Sequence, residues 1–208
     1  MHTPYPNYKG QVRYEIGKSI TGDIPYNINS MGTRGPEIDL GAPSVITLGG
    51  SNVFGVGNYE KDIWPQLMAN HLDLQLVNLS RAAAAPDTCF RMISQWIRLC
   101  KNIKHVIYFE PPPGRFEILK HNYQDLYDPG IYSAHNTIID QWFATYQNND
   151  LNYMKNMLAI EALCKQNDIS FYGCKEPDFI VSVDHATDGI HIGTKSHKKT
   201  FEKILTQL

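Results

Sequence analysis

A serine follows the point where a buried strand is predicted to end. The apolar, β-branched run Val45–Leu48 leads directly into Gly49, Gly50 and then Ser51. This pattern is typical of a parallel strand whose carboxyl end opens into a tight turn. Ligands bind at that end of open α/β sheets. Ser51 is therefore a candidate nucleophile, although an isolated Gly-Gly-Ser sequence is more often a plain turn.

A serine becomes an effective nucleophile when a base removes its proton, and that base is usually histidine. Among the eight histidines, His191 follows Asp188 by three residues in a turn that contains Gly189. On such a turn the carboxylate can reach Nδ1 of the imidazole and leave Nε2 facing the serine. The pair alone is a weak signal, because a solvated Asp/His loop or a helix-capping aspartate has the same spacing.

The elements that must position these residues alternate along the chain. Strands are predicted at Ser44–Leu48, Leu74–Leu79, His105–Phe109 and Ile169–Gly173, and helices at Glu60–Leu72, Pro86 to about Lys101, Leu151–Gln166 and Thr194–Leu208. The strands carry short apolar runs, whereas the helices carry apolar residues at helical spacing. This alternation indicates a parallel α/β sandwich.

Several local features are also expected. Residues 52–58 are predicted to form a loop, and Thr194 to cap the last helix. The piece Val12–Ile16 is a candidate edge strand. One apolar face of the helix before the fourth strand is formed by Leu151, Met154, Leu158 and Ala162.

The chain has 208 residues and 42% hydrophobic residues, which fits one globular domain with a sizeable core. Residues 1–40 are rich in turn formers and predict an N-terminal arm packed on the main domain, residues 41–208. An irregular insertion is expected at about residues 115–150. The net charge of −2 and the lack of a basic run argue against a nucleic-acid partner.

The four cysteines are Cys89, Cys100, Cys164 and Cys174. They form no CxxC pair, so their spacing carries no zinc or redox signature. A reducing compartment fits them, and two disulfide bridges are the alternative. The stretch Met1–Lys9 lacks the apolar segment of a signal peptide, and no transmembrane helix is predicted. We therefore expect a cytoplasmic protein; the sequence does not indicate its oligomeric state.

Three short blocks together resemble the SGNH (GDSL-type) hydrolases, a lipase and acylhydrolase family. Leu48–Gly55 is similar to the first block, with Gly50 where Asp is common. Val77–Ala83 is similar to the second block, and Asp188–His191 to the last. Upstream, Asn27–Glu37 is similar to a leader of one bacterial and phage-type branch. The resemblance implies a flavodoxin-like, three-layer α/β/α sandwich with a mostly parallel, five-stranded sheet.

The resemblance also implies an activity and its residues. Ser51 would be the nucleophile, His191 the general base and Asp188 its orienting partner. The protein would then be a serine esterase that cleaves a small acyl or carbohydrate acetyl ester through an acyl-enzyme intermediate. The resemblance implies neither a cofactor nor a metal.

The oxyanion hole departs from the family pattern. In that pattern the donors are the nucleophile's own N–H, a second-block glycine N–H and a third-block asparagine side chain. Here Ser51 supplies the first, Ala83 takes the glycine position, and Glu110–Glu117 has no asparagine. The loss of one such donor typically raises the barrier by about 2.7–4 kcal/mol.

Three side chains are candidates to replace the missing donor: Arg115, Asn52 and Asn78. Arg115 is favoured, because the proline-rich turn before it would hold it at the strand end. An ion pair of Arg115 with Glu117 or Glu110 is the alternative.

Three functions are alternatives to a hydrolase: a binding or structural module, a metal site and a nucleotide-binding site. The incomplete third block favours a non-catalytic binding or structural module that keeps the fold. A metal site is a further alternative, and its ligands would come from Asp184, His185, Asp188, His191 and His197. The glycines at residues 49–57 lack the spacing of a nucleotide-binding loop.

Overall fold

The structure, a computed structural model, describes residues 24–112, 114–115 and 146–207, with side chains from residue 150 onward in the last range. The strands are β1 (Ser44–Leu48), β2 (Gln75–Asn78), β3 (Ile103–Glu110) and β4 (Ser170–Lys175). The α-helices are α1 (Ser51–Phe54), α2 (Trp64–Leu72), α3 (Pro86–Leu99), α4 (Tyr146–Gln166), α5 (Glu176–Phe179) and α6 (Thr194–Leu205). A 3-10 turn, Glu60–Asp62, precedes α2.

The strands of the described residues form one parallel sheet in the order β2-β1-β3-β4. The chain runs from β1 outward to β2 and then crosses to β3 on the other side of β1. The strand order therefore reverses between β1 and β3, and ligands bind at such a point, beyond the carboxyl ends of the strands. Ser51 follows β1 and Pro111 follows β3, so both lie at this edge.

Two cores flank the sheet because successive strand residues face opposite sides. On one side Ile46 packs with Trp96 of α3, and on the other Val45 packs with Trp64 of α2. Helix α4 lies against α3, and α6 lies against α2. The described residues thus form an α/β/α sandwich with four parallel strands. The fifth strand of the prediction is not among them, and Val12–Ile16 lies outside the described residues.

The segment after Ser51 corrects the sequence prediction. The loop predicted at residues 52–58 begins instead inside the short helix α1. The backbone N–H groups of Val53 and Phe54 both donate to the carbonyl of Gly50, at 3.2 and 2.9 Å. Gly55 then ends the helix with a φ of +84°, a conformation that glycine adopts without strain.

The start of α6 is a second correction. Thr194 is the first helical residue, and the capping position is Gly193, with no side-chain cap of its own. The carboxylate of Asp184 does the capping from a distant loop. It accepts the backbone N–H groups of Lys195 and Ser196, at 3.1 and 2.8 Å, and so replaces the hydroxyl expected from Thr194.

The predicted apolar face of α4 is turned to solvent. Leu151, Met154 and Leu158 are 60%, 55% and 60% exposed, and Ala162 is exposed as well. The buried face carries Asn152, Asn156, Ile160 and Cys164. Asparagines tolerate this burial because they are paired: Asn156 Nδ2 donates to the Asn152 carbonyl at 2.9 Å and to Asp87 Oδ1 at 3.2 Å.

The described part of the N-terminal region packs on the sheet, with Ile24 and Tyr26 in the core on the α3 side. The four cysteines are buried and free, so the alternative of two disulfide bridges is wrong. Among the described helices, none has the length and apolarity needed to cross a bilayer.

Candidate active site

Ser51 is the first residue of α1, directly beyond β1, and its side chain is half-buried. Of the two glycines that precede Ser51, Gly49 is tightly enclosed. A Cβ on Gly49 would lie 2.3 Å from Val53 Cγ2 and 2.9 Å from the Phe109 carbonyl oxygen, so only glycine fits there. The first N–H groups of a helix have no acceptor within the helix. The N–H of Ser51 therefore suits an oxyanion.

Arg34 holds the other end of α1. Its Nη1 donates to the carbonyls of Phe54 and Gly55, both at 2.8 Å, and its Nη2 donates to the Asn58 carbonyl at 2.6 Å. The guanidinium also lies 4.6 Å from the ring centroid of Tyr26. Burial lowers the pKa of Arg34 to about 10, yet it stays charged at neutral pH. Arg34 lies in the leader-like segment, but sequence reasoning assigned it no role.

Asp188 and His191 form a pair, as their spacing predicts. His191 Nδ1 lies 2.5 Å from Asp188 Oδ2. Asp188 Oδ1 accepts the backbone N–H groups of Ile190 and His191, each at 2.9 Å. Burial raises the pKa of Asp188, but these hydrogen bonds and the imidazole outweigh it, so its net pKa is lowered. The carboxylate therefore stays ionised and holds Nδ1, so Nε2 is the ring nitrogen that Asp188 does not engage.

The turn after α1 packs directly on this pair. A Cβ on Gly57 would lie 2.8 Å from the Cβ of Ala186 and 3.5 Å from Cγ of Asp188. The Thr187 hydroxyl donates to the Gly57 carbonyl at 3.2 Å. Asn58 Nδ2 donates to the Ile192 carbonyl at 2.9 Å. The segment that carries Ser51 and the loop that carries His191 are thus joined.

Asn52 makes the most direct link between the two. Its Oδ1 accepts the backbone N–H of Ile192 at 3.4 Å, and its Nδ2 donates to Glu176 Oε1 at 2.6 Å. Ser51 immediately precedes Asn52, and His191 immediately precedes Ile192. The hydrogen bond between Asn52 and Ile192 therefore lies next to both candidate residues. Within the described residues, no hydrogen bond joins Ser51 Oγ to His191 Nε2. Catalytic hydrogen bonds are often long without substrate and tighten when it binds.

Glu176, the first residue of α5, is a site residue that sequence reasoning missed. A Cβ on Gly50 would lie 3.4 Å from Glu176 Oε2 and 3.9 Å from Arg115 Nη1. A carboxylate from another part of the chain thus lies beside position 50. Burial raises the pKa of Glu176, opposed by the Asn52 hydrogen bond and the charges of Arg115 and His191.

Arg115 points toward the end of β1. Its backbone N–H donates to the Pro112 carbonyl at 3.1 Å, which closes the proline-rich turn. Its carbonyl accepts a long hydrogen bond from Asn152 Nδ2 at 3.5 Å. Glu117 lies outside the described residues, and both oxygens of Glu110 are buried without a hydrogen-bond partner among the described ones. At position 50 the guanidinium and the Glu176 carboxylate both lie within 4 Å of where a Cβ would be, and the charge of Arg115 opposes the rise that burial causes in the pKa of Glu176.

The other two oxyanion candidates differ in their backbone and side-chain surroundings. Ala83 has a φ of +59°, a left-handed conformation that costs alanine about 1–2 kcal/mol. Asn78 is 2% exposed. Its Oδ1 accepts the Ser80 N–H at 3.1 Å, and its Nδ2 donates to the Val53 carbonyl at 3.4 Å. The Asn78 amide thus holds α1 in place through the carbonyl of Val53.

The metal-site alternative finds no support in this geometry. Throughout the described ranges, His, Cys, Asp and Glu side chains do not gather in groups of three or more as a metal ion needs. Asp184 caps α6, and His197 Nδ1 accepts the Trp64 N–H at 3.2 Å. Burial lowers the pKa of His197 to about 3.

The family model described as a domain of unknown function (DUF6473) matches residues 17–107. No protein of curated function matches the chain.

Solved structures with a similar arrangement include three enzymes or candidate enzymes. A putative lipolytic protein of the G-D-S-L family from Desulfitobacterium hafniense DCB-2 is 12% identical, with a TM-score of 0.43, over 79% of this chain and 99% of that chain. A member of the same family from Veillonella parvula DSM 2008 is 12% identical, with a TM-score of 0.40, over 79% and 97%. An acetyl xylan esterase from Butyrivibrio proteoclasticus is 10% identical, with a TM-score of 0.40, over 83% and 65%. The candidate site therefore rests on the chain's own geometry.

Proposed function

We propose that the protein is a serine hydrolase that cleaves a carboxylic ester through an acyl-enzyme intermediate. The observation that carries this proposal is the Asp188–His191 pair, joined to the Ser51 segment through the hydrogen bond between Asn52 and the backbone of Ile192. A base with an ionised orienting carboxylate and a strand-end serine are the parts that acyl transfer requires.

In the proposed reaction, Ser51 Oγ attacks the ester carbonyl while His191 Nε2 takes its proton. Asp188 accepts the Nδ1–H hydrogen bond and stabilises the imidazolium. The tetrahedral intermediate collapses, and the alcohol leaves with the proton from Nε2. A water molecule then attacks the acyl-enzyme, His191 again takes and returns one proton, and the carboxylic acid is released.

The oxyanion donors in this proposal are the N–H of Ser51, the N–H of Ala83 and the guanidinium of Arg115. The amides of Asn52 and Asn78 already have partners, so they act by holding α1 and its neighbours. Arg115→Ala should lower kcat by about 10²–10³-fold on the scale of a lost oxyanion donor. Arg98→Ala, an exposed arginine on α3, is the matched control, and an unchanged kcat in Arg115→Ala would remove the role.

A fluorophosphonate probe tests the nucleophile. The probe should label the wild-type protein at Ser51, and Ser51→Ala should lose both labelling and turnover of p-nitrophenyl acetate. Ser182→Ala, at an exposed serine, should retain both. Labelling that persists in Ser51→Ala contradicts the assignment.

A non-catalytic binding module is the second candidate. It is favoured by the absence of a third-block asparagine and by the lack of a hydrogen bond between Ser51 Oγ and His191 among the described residues. Wild-type protein that is folded, yet neither labelled nor active on any ester, would support it.

A further inference from the structure

A cavity of about 340 Å³ lies beside the candidate site, between the end of β3 and the start of α5. Its walls include Pro111, Pro112, Tyr153, Pro177 and Ile180. These side chains present rings and aliphatic carbon. An apolar cavity of about 150 Å³ is enough to bind benzene, so this one has room for a larger group.

The cavity adjoins the candidate site at Glu176, which forms part of the cavity lining. The same carboxylate receives the Asn52 hydrogen bond and lies beside Gly50. A substrate group in the cavity would therefore begin next to the residues that flank Ser51.

The floor of the cavity includes Glu110, which is 3% exposed. Neither of its carboxyl oxygens has a hydrogen-bond partner among the described residues. Burial raises the pKa of Glu110 to about 8, opposed by the charge of Lys175. The carboxyl is therefore mostly neutral at pH 7, and an uncharged floor suits an apolar occupant. Lys175 is exposed, and its Nζ lies 4.7 Å from the ring centroid of Tyr153.

We propose that this cavity is the acyl pocket of the enzyme and takes an apolar acyl group of about six to eight carbons. The inference rests on the proposed function of Ser51, and it narrows the substrate from esters in general to esters of a medium-length or aromatic acid.

The position of the cavity favours the acyl group over the alcohol. The leaving alcohol must lie next to His191, which gives it a proton. None of the described residues lining the cavity belongs to the 181–192 loop that carries His191. The Pro112 carbonyl accepts the backbone N–H of Arg115, the proposed oxyanion donor, at 3.1 Å. The cavity thus lies on the side of the oxyanion, to which the acyl carbon is bound.

The test is a series of p-nitrophenyl esters from acetate to hexanoate, with benzoate for an aromatic ring. Each methylene buried is worth about fourfold in binding, so kcat/KM should rise at least tenfold from acetate to hexanoate. A flat or falling series for the wild-type protein overturns the acyl pocket.

Two variants that change the cavity volume in opposite directions test whether the acyl group lies in the cavity. Ile180→Trp fills the cavity and should lower the hexanoate-to-acetate ratio of kcat/KM at least tenfold. Tyr153→Ala enlarges it and should shift the preference to longer acyl groups. Leu158→Trp, on the exposed face of α4, should leave the ratio unchanged. Equal ratios in all four proteins contradict the proposal.

A binding measurement separates this inference from the proposed function. Acetamide and hexanamide mimic the two acyl groups but are not esters, and their affinities can be measured by calorimetry on wild-type and Ile180→Trp protein. If no ester is hydrolysed, hexanamide should still bind at least tenfold more tightly than acetamide to the wild type only. If esters are hydrolysed but both amides bind equally, the acyl pocket alone is wrong.

Discussion

Asn52 Nδ2 donates a hydrogen bond to Glu176 Oε1 at 2.6 Å, across 124 residues of sequence. The bond joins the residue after the candidate nucleophile to the first residue of α5. The second Glu176 oxygen lies beside Gly50, so one carboxylate bonds to Asn52 and lies next to Gly50, the two neighbours of Ser51. We infer that Glu176 is a positioning residue that fixes the orientation of α1.

Removal of this carboxylate should impair turnover more than folding. Glu176→Ala leaves Asn52 without its acceptor, and we expect kcat to fall about 10–100-fold, the scale on which small misplacements act. Glu176→Gln keeps an acceptor oxygen and should recover most of the loss. Glu202→Ala on the exposed side of α6 is the control. Steady-state kinetics and the unfolding temperature distinguish the roles: a fall in stability with unchanged kcat would mean that Glu176 is only structural.

Asp188→Asn should reduce kcat by about 10³–10⁴-fold, because the amide no longer stabilises the imidazolium or selects the reactive tautomer. Asp184→Asn is a matched control, since Asp184 caps α6 through the N–H groups of Lys195 and Ser196. That change should cost about 1 kcal/mol of stability and leave kcat within a fewfold. Equal kinetic losses in both variants would contradict the pairing of Asp188 with His191 as the catalytic one.

Arg34→Met should destabilise the protein by about 2–4 kcal/mol, because three carbonyl groups around α1 lose their buried donor. Arg34→Lys should recover less than half, since one ammonium cannot match the fork of a guanidinium. The free energy of unfolding in urea measures both. Arg98→Met, at an exposed position, should stay within about 0.5 kcal/mol of the wild type. If Arg34→Met lowers the free energy of unfolding as little as Arg98→Met does, the guanidinium does not stabilise this segment.

Glu110 should make stability fall as pH rises from about 5 to 8. Its pKa is raised to about 8 in the folded protein, whereas an unfolded glutamate titrates at about 4.3. The folded state therefore binds the extra proton across this window, and its advantage is lost as pH rises through the folded value. Glu110→Gln should remove on the order of 2–4 kcal/mol of that fall.

Urea unfolding at several pH values measures this effect. Glu202→Gln, an exposed change on α6, should keep the wild-type dependence on pH. Parallel curves for the wild type and Glu110→Gln would show that Glu110 titrates normally.

Several features followed from local sequence. Strand β1 matches its predicted bounds, because a short β-branched run between turn formers leaves little choice of backbone. The Asp188–His191 contact formed as its spacing predicts, because three residues in a glycine-containing turn bring the two side chains within reach. Helix α3 begins at the predicted Pro86 and ends close to its predicted limit. Helix α2 ends at the predicted Leu72 but begins at Trp64 instead of Glu60, because a separate 3-10 turn forms at Glu60–Asp62.

The tertiary structure decided the rest. Helical spacing revealed the apolar stripe that includes Leu151 and Leu158, but packing buried the opposite face, where Asn156 finds partners on Asn152 and Asp87. Spacing reveals periodicity, whereas the face that becomes buried depends on which neighbours satisfy its polar groups.

The residues around Ser51 were also beyond the reach of sequence reasoning. Glu176 and Arg34 reach α1 from distant parts of the chain, and neither lies in a motif that specifies such a contact. The sequence by itself identified Ser51, Asp188 and His191 as residues whose types suit the chemistry, and it predicted the strands and long helices around them. The parallel sheet determined their neighbours, because it brings the ends of β1, β3 and β4 to one edge and so places a glutamate from α5 beside Gly50 and Asn52.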